Sequence, residues 1–377
     1  MPASSVPSKY LAVAAAIERD VRSGAWGSGR MPSIRKVAET HGVSMVTASR
    51  ALQVLRDKGL IHTVERSGCY RVPPPEAERW AVVIRVTPGP MAGLTAAITR
   101  NGFEQLARSE PMHLHFDAFD IAEGLTIDDA AKAAAAAKAN GIAGIFLLPT
   151  RCGGDAADAD ATFLAGCHAA KLPVVLIERN LFGQSELNGS DLVALDDAGG
   201  AVAAVDHLIE IGRKSIGVVV ASAVSSHWDR IAGYLFAQHR AAGKRKGAGE
   251  PLVIHQPMNC ATNEAYAAVT DDVIRHKLDG VICYSDYTAL GVVMELLRRG
   301  KRVPKDVAVV GFDNLPIGEQ FAIQLTTYDY PAAIMARHAV RLMRDRVSEP
   351  DRLPVKLVVP GRLIVRGSTV AGATAVT

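Results

Sequence analysis

The chain has 377 residues, of which 49% are hydrophobic, 21% charged and only 5% aromatic. That balance excludes a disordered chain, fits two or three globular domains, and rests their cores on Ala, Val, Leu and Ile. The net charge of +3 is unevenly spread, because residues 1–72 hold eleven Lys/Arg against five Asp/Glu, a balance of +6, and the remainder carries −3.

A small basic head on a larger, slightly acidic body points to a polyanion-binding module attached to something else. No apolar run reaches the roughly 20 residues that span a membrane. The most apolar stretch, Ala130 to Leu148, is interrupted by Lys132, Lys138 and Asn140. The opening MPASSVPSKY lacks the basic-then-apolar order of a secretory signal. Five cysteines, at 69, 152, 167, 260 and 283, are odd in number and lack C-x-x-C spacing. They fit a reducing cytoplasm rather than a disulfide framework or a zinc knuckle.

In chain order, residues 9–23 predict a first helix with Leu11, Ala15 and Val21 on one face and a stop at Gly24. Ser33 is an N-cap for a helix ending near His41, and Gly42 permits a turn. Ser44 caps a further helix, Met45 to Lys58, with Val46, Ala51, Leu52 and Leu55 as its inner face and Gly59 as its end. Two short helices joined by a tight turn make a helix-turn-helix, which offers its second helix to the major groove. Residues 60–64 and 69–72 read as a β-hairpin, the wing, with Glu65 to Gly68 between them.

Pro73-Pro74-Pro75 breaks the pattern and favours an extended spacer. From Trp80 short apolar strands alternate with amphipathic helices. The expected strands are Ala81–Val86, Met112–Phe116, Gly144–Leu148, Val174–Ile177, Ile216–Val220, Leu252–His255, Gly280–Tyr284 and Val307–Phe312. Helices are expected at Leu94–Ser109, Ile127–Asn140, Ala156–Lys171, Gly199–Gly212, Asp229–Ala242, Asn263–His276 and Tyr287–Gly300. The expected fold class is α/β, two lobes of doubly wound parallel sheet behind an N-terminal winged helix-turn-helix. The expected boundaries are residues 1–72 for the helix-turn-helix head, 73–79 for the linker, and 80–377 for the two-lobed body.

The head resembles the DNA-binding domain of GntR-type transcription regulators over about residues 8–72. M-P-S-I-R at 31–35, G-V-S at 42–44, Thr47, A-L at 51–52, L-x-x-x-G-L-I at 55–61, Gly68 and Tyr70 carry that resemblance. It implies that Arg35, Ser44, Thr47, Ser49 and Arg50 face the duplex. Met45 stands where the family usually has a base-reading arginine and is a candidate for a thymine methyl. Arg66 replaces a usual wing glycine and is a candidate for the minor groove.

Three motifs mark the body. They are V-D-H-L-I-E-I-G-R-K-S-I-G at 205–217, S-D-Y-T-A-L-G at 285–291, and V-P-K-D-V-A-V-V-G-F-D-N at 303–314 followed by L-T-T at 325–327. Together they resemble the effector domain of LacI-type regulators, itself similar to periplasmic sugar-binding proteins, over about residues 80–368. The whole chain is then a hybrid, similar to arabinose-responsive repressors, with the proline linker in place of the LacI-type hinge helix. Arg230 matches that family's ligand-binding arginine, and Tyr330 falls at a polar ligand position after L-T-T.

Independently, ligands in doubly wound folds bind beyond the C-terminal strand ends. Glu178, Ser285, Asp286 and Asp313 each follow an expected strand. Trp228, close to Arg230, could cover a sugar's apolar face. Met91, in an irregular first loop without the usual asparagine-proline-aromatic pattern, could line the cleft.

Catalytic signals are weak. His113 and His115 lack a third metal ligand, Asp155, Asp158 and Asp160 lack calcium-loop spacing, and neither a Walker motif nor a G-x-S-x-G elbow occurs. No metal, cofactor or catalytic residue is therefore expected. The expected partners are double-stranded operator DNA, a small effector such as a monosaccharide, and a second copy of the chain, with no membrane. The alternatives are a nucleobase or nucleoside effector, or a winged-helix head fused to an enzyme.

Overall fold

The computed structural model describes residues 9–23, 31–57, 60–64, 68–71, 79–85, 94–110, 112–116, 126–242, 249–256 and 262–371. The chain divides into two compact units near Glu78–Arg79. The expected linker prolines, the wing tip with Arg66, and Met91 lie outside the described residues.

The head contains α1 (Lys9–Ser23), α2 (Ile34–His41), α3 (Met45–Asp57), β1 (Ile61–Val64) and β2 (Gly68–Arg71). Ser33 caps α2 by accepting the Lys36 N–H. Gly42, at φ +60°, takes the left-handed conformation that closes α2. Ser44 Oγ accepts the Thr47 N–H at 3.2 Å and so caps α3. The hairpin β1–β2 is antiparallel, with His62 opposite Tyr70.

The head core joins Val13, Ala14 and Ile17 of α1 to Val37 and Ala38 of α2 and to Ala48, Ala51, Leu52 and Leu55 of α3. Two expected faces are thereby corrected. In α1 the buried side is Val13, Ala14 and Ile17, while Leu11 and Ala15 are exposed and the Val21 side chain lies outside the described residues. In α3 Val46 points outward at 66% exposure, and Ala48 takes its place. At about 100° per residue, position 46 stands roughly 200° from position 48, on the opposite face.

The body opens with β3 (Arg79–Ile84), α4 (Leu94–Ser109), β4 (His113–His115), α5 (Ile127–Ala139), β5 (Gly144–Leu148), α6 (Asp155–Ala169), β6 (Val174–Ile177) and β7 (Asp191–Leu195). It continues through α7 (Asp197–Glu210), β8 (Ile216–Val220), α8 (Ser225–Ala242), β9 (Leu252–His255), α9 (Asn263–Arg275), β10 (Gly280–Cys283), α10 (Asp286–Arg298) and β11 (Ala308–Asp313). The last elements are α11 (Pro316–Gln320), β12 (Thr326–Asp329), α12 (Ala332–Ser348), β13 (Lys356–Val359) and β14 (Leu363–Ile364).

These strands form two six-stranded sheets, ordered β13-β7-β6-β5-β3-β4 and β14-β12-β11-β10-β8-β9. Neighbouring strands from β13 to β3 in the first sheet and from β12 to β9 in the second pair in parallel, and β14 meets β12 antiparallel. Strands β5, β6, β10 and β11 are buried along their whole length, as expected when helices cover both faces. The chain passes between sheets after β7, after β12 and between β13 and β14. Each sheet has its own apolar core, around Phe163 and Leu176 in one lobe and around Val281 and Val309 in the other. No described helix is long and apolar enough to cross a membrane.

Candidate effector cleft and head surface

In each sheet the C-terminal strand ends carry charge. In the first lobe Arg151 lies just beyond β5, and Glu178 and Arg179 directly follow β6. In the second lobe Asp197 opens α7, Tyr284 and Ser285 follow β10, and Asp313 ends β11. Arg230 reaches this region from α8. Helices α7 and α8 approach closely because Gly233 has no side chain; a Cβ there would strike the Ala198 backbone. That approach places Arg230 Nε 2.7 Å from Asp197 Oδ1.

The first-lobe cluster centres on Glu178, which is 3% exposed. Arg151 donates to its Oε1, and Arg179 lies 2.5 Å from the same oxygen. Burial alone would raise the Glu178 pKa, but Arg151, Arg179 and Arg230 draw it down to about 2. Burial outweighs the pull of Glu178 on Arg179 and lowers that guanidinium to about 10.

The second-lobe cluster is differently balanced. Arg230 donates to Asp197 and to the Tyr284 carbonyl and stacks 4.1 Å above the Phe312 ring. Burial pushes Asp197 up to about 6 against the pull of Arg230. Burial likewise pushes Asp313 up to about 7, only partly offset by Arg230 and Arg151 and reinforced by Glu178 and Asp197.

The lobes meet around these groups. Gly183 N–H donates to the Ala223 carbonyl at 2.9 Å, Asn180 N–H to Ser225 Oγ at 2.9 Å, and Lys356 pairs with Asp229 at 2.8 Å. Inside this closed edge, Glu178 Oε2, Asp197 Oδ2 and Asp313 Oδ2 are buried without a hydrogen-bond partner among the described residues. His227 Nδ1 accepts from the Ser222 N–H at 3.1 Å, which assigns the ring proton to Nε2, also without a partner. Burial, with Arg151, Arg230 and Arg179 nearby, holds His227 well below its ordinary pKa, so its ring is neutral. The arrangement offers acceptors for several hydroxyl groups and two buried donors, His227 Nε2 and Arg179 Nη1, that meet no hydrogen-bond partner among the described residues.

The structure therefore brings Glu178, Arg230 and Asp313 into one cluster. Tyr330 lies at its margin, its OH 3.2 Å from Thr99 Oγ1 and its pKa raised by burial and by Glu178. Ser285 and Asp286 have structural tasks. Ser285 Oγ caps α10 at the Thr288 N–H, while the Asp286 oxygens accept the Leu315 N–H and the Thr327 hydroxyl, each at 2.6 Å. Trp228, in the first turn of α8, is 38% exposed. Arg151, Arg179, Asp197, His227 and Tyr284 were not foreseen. The rule of strand ends that selected Glu178 also selects Arg151 and Arg179, whereas Asp197 depends on β7, which the apolar pattern did not reveal.

On the head, Arg35 is exposed and makes a 3.3 Å pair with Glu39. Such an exposed pair is weak and leaves the guanidinium available. Ser44, Met45, Val46 and Arg50 are exposed along α3, with Thr47 and Ser49 half-buried. Arg50 makes no ion pair among the described residues.

Residues 9–70 match the family of bacterial regulatory proteins called gntR, and residues 205–369 match the periplasmic binding protein-like domain. Among curated proteins, the transcriptional regulator CelR of Thermobifida fusca is 32% identical over 178 residues, 47% of this chain and 51% of CelR. The transcriptional repressor PurR of Vibrio atlanticus is 28% identical over 191 residues, 48% of this chain and 52% of PurR. The chain thus spans about half the length of the curated relatives it matches. Among solved structures, a CelR–cellobiose complex gives a TM-score of 0.62 at 22% identity, covering 90% of this chain and all of that one. A LacI-family regulator from Enterococcus faecium with bound ribose gives 0.57 at 19% identity, covering 77% and 98%. These last two likenesses concern the fold. The chain is a hybrid that joins a gntR-type winged helix-turn-helix to a two-lobed periplasmic binding protein-like domain.

Proposed function

We propose that the protein is a cytoplasmic, non-enzymatic transcription repressor that binds operator DNA as a homodimer through its head, under the control of a small carbohydrate held between the body's lobes. The observation that carries the effector reading is the set of three buried, unpartnered carboxylate oxygens on Glu178, Asp197 and Asp313. Buried acceptors left without donors cost free energy, so a ligand rich in hydroxyl donors gains by supplying them. Arg35, Ser44, Met45, Thr47, Ser49 and Arg50 form the proposed DNA face, and Arg66 is a proposed contact from the wing. Arg230, Asp313, Glu178 and Tyr330 are the proposed effector residues, joined by Asp197, Arg151, Arg179 and His227. Residues 1–72, 73–79 and 80–377 are the proposed head, linker and body, with the dimer formed mainly by the body. Control requires that the effector prefer one of two states of the protein.

The test selects an operator from a randomised duplex pool with the full chain. Gel shifts on that operator then follow with L-arabinose, D-ribose, D-glucose, cellobiose and adenosine. The reading expects a two-fold symmetric operator and a sugar that changes its affinity. Enrichment of no sequence contradicts the head assignment, and a response to adenosine alone contradicts the carbohydrate.

A further inference from the structure

Asp313 is 4% exposed and held at φ +103°, a backbone conformation that side-chain-bearing residues rarely adopt. Its Oδ2 meets no donor among the described residues. The two cations closest in effect are already engaged, Arg230 from α8 by Asp197 and the Tyr284 carbonyl, and Arg151 from beyond β5 by Glu178. From the other elements around it come more acids than bases. Glu178 follows β6, Asp197 opens α7 and Asp286 opens α10, with Tyr284, Tyr287 and Tyr330 adding hydroxyls. Arg179 is held at Glu178, and His227 is neutral. A buried carboxyl without a donor or a free cation is cheapest when protonated.

We propose that the closed cleft, in the effector-free protein, binds a proton at Asp313. The proposal needs only the closed cleft. Its consequence rests on the effector reading above: a hydroxyl group bonded to Asp313 takes the place of the proton, so effector binding tightens as pH rises and releases that proton.

The sign follows from linkage. Burial raises Asp313 to about 7, so the closed state holds the proton more tightly than an open or unfolded one. Its stability is fullest below the ordinary carboxylate range and falls as pH rises to about 7. The experiment uses the full chain without sugar, wild type against Asp313→Asn, with thermal unfolding and small-angle scattering from about pH 4 to about pH 8.5. Between those limits the wild type should lose roughly 4 °C or more in Tm relative to Asp313→Asn, or its radius of gyration should grow as the lobes part. Asp313→Asn keeps Asp197, raised to about 6, and should lack the part of the loss centred near 7. Arg151→Gln, in a chain that keeps Asp313, removes a cation and should move the wild-type midpoint upward. Parallel pH profiles for wild type and Asp313→Asn in both readouts would overturn the proposal. Should Asp313→Asn fail to fold, an unmoved midpoint in Arg151→Gln overturns it equally.

Discussion

Glu178 and Asp313 occupy equivalent places in the two lobes of the body. Each lies at the C-terminal end of an interior strand, β6 or β11, and each has a positive φ, +68° and +103°. Both are at least 96% buried, yet one carboxyl is drawn down to about 2 and the other pushed up to about 7. Burial therefore does not decide their charge. The direction is set by where the arginines go, because Glu178 takes Arg151 and Arg179 while Arg230 is held by Asp197. One lobe presents a carboxylate ion-paired through one oxygen with the other still open, and the second presents an acid with no ion pair of its own among the described residues.

The largest effect expected from this contrast is in the Glu178 cluster. Arg179→Ala should cost about 3–5 kcal/mol in urea unfolding at neutral pH, because it removes a partner from a buried charge. A loss under about 1 kcal/mol would mean that Arg151 alone satisfies Glu178.

Next comes the pH signature. Glu178 has a lowered pKa, so its stabilisation is present above the ordinary carboxylate range and is lost as pH falls toward about 2. Glu178→Gln should cost on the order of 2–3 kcal/mol at neutral pH and progressively less in acid. The opposite sign is expected at Asp313, so unfolding curves of the two variants that share a sign would break the contrast.

Smaller effects belong to the head. Arg35→Ala and Arg50→Ala should each weaken operator binding by about 1–3 kcal/mol if they bond to bases, or weaken random duplex equally if they touch phosphates. Gel shifts on both duplexes separate these outcomes. Ser44→Ala should lower the head's stability by about 1 kcal/mol through loss of the α3 cap, as measured by chemical unfolding.

The alternation of apolar runs and amphipathic stretches made most of the body legible up to β11. Strands Gly144–Leu148, Val174–Ile177, Ile216–Val220 and Leu252–His255 and helix Leu94–Ser109 have the expected bounds. The alternation did not reveal β7, whose Asp191–Leu195 begins with a buried acid held by Arg346 and Arg352. It also missed helix α12 and the short strands β12, β13 and β14, of which β13 leaves two residues exposed. At the cleft, residues adjoining a recognised strand could be anticipated. Pairing could not, since the bond from Arg230 to Asp197 spans 33 positions and depends on the closeness of α7 and α8. Likewise, Asp286 looks like a cleft acid in sequence, and only the folded loop shows both its oxygens occupied by Leu315 and Thr327.

The most direct measurement pairs one cleft variant with one head variant in the same gel shift, using the selected operator and the sugar that alters wild-type binding. Asp313→Ala should bind operator like wild type while its sugar response shifts ten- to a hundred-fold higher in concentration, about 1.5–3 kcal/mol. Arg35→Ala should do the reverse, with weaker operator binding and an unchanged calorimetric affinity for the sugar. An Asp313→Ala protein that answers the sugar at the wild-type concentration would contradict the cleft as the effector site.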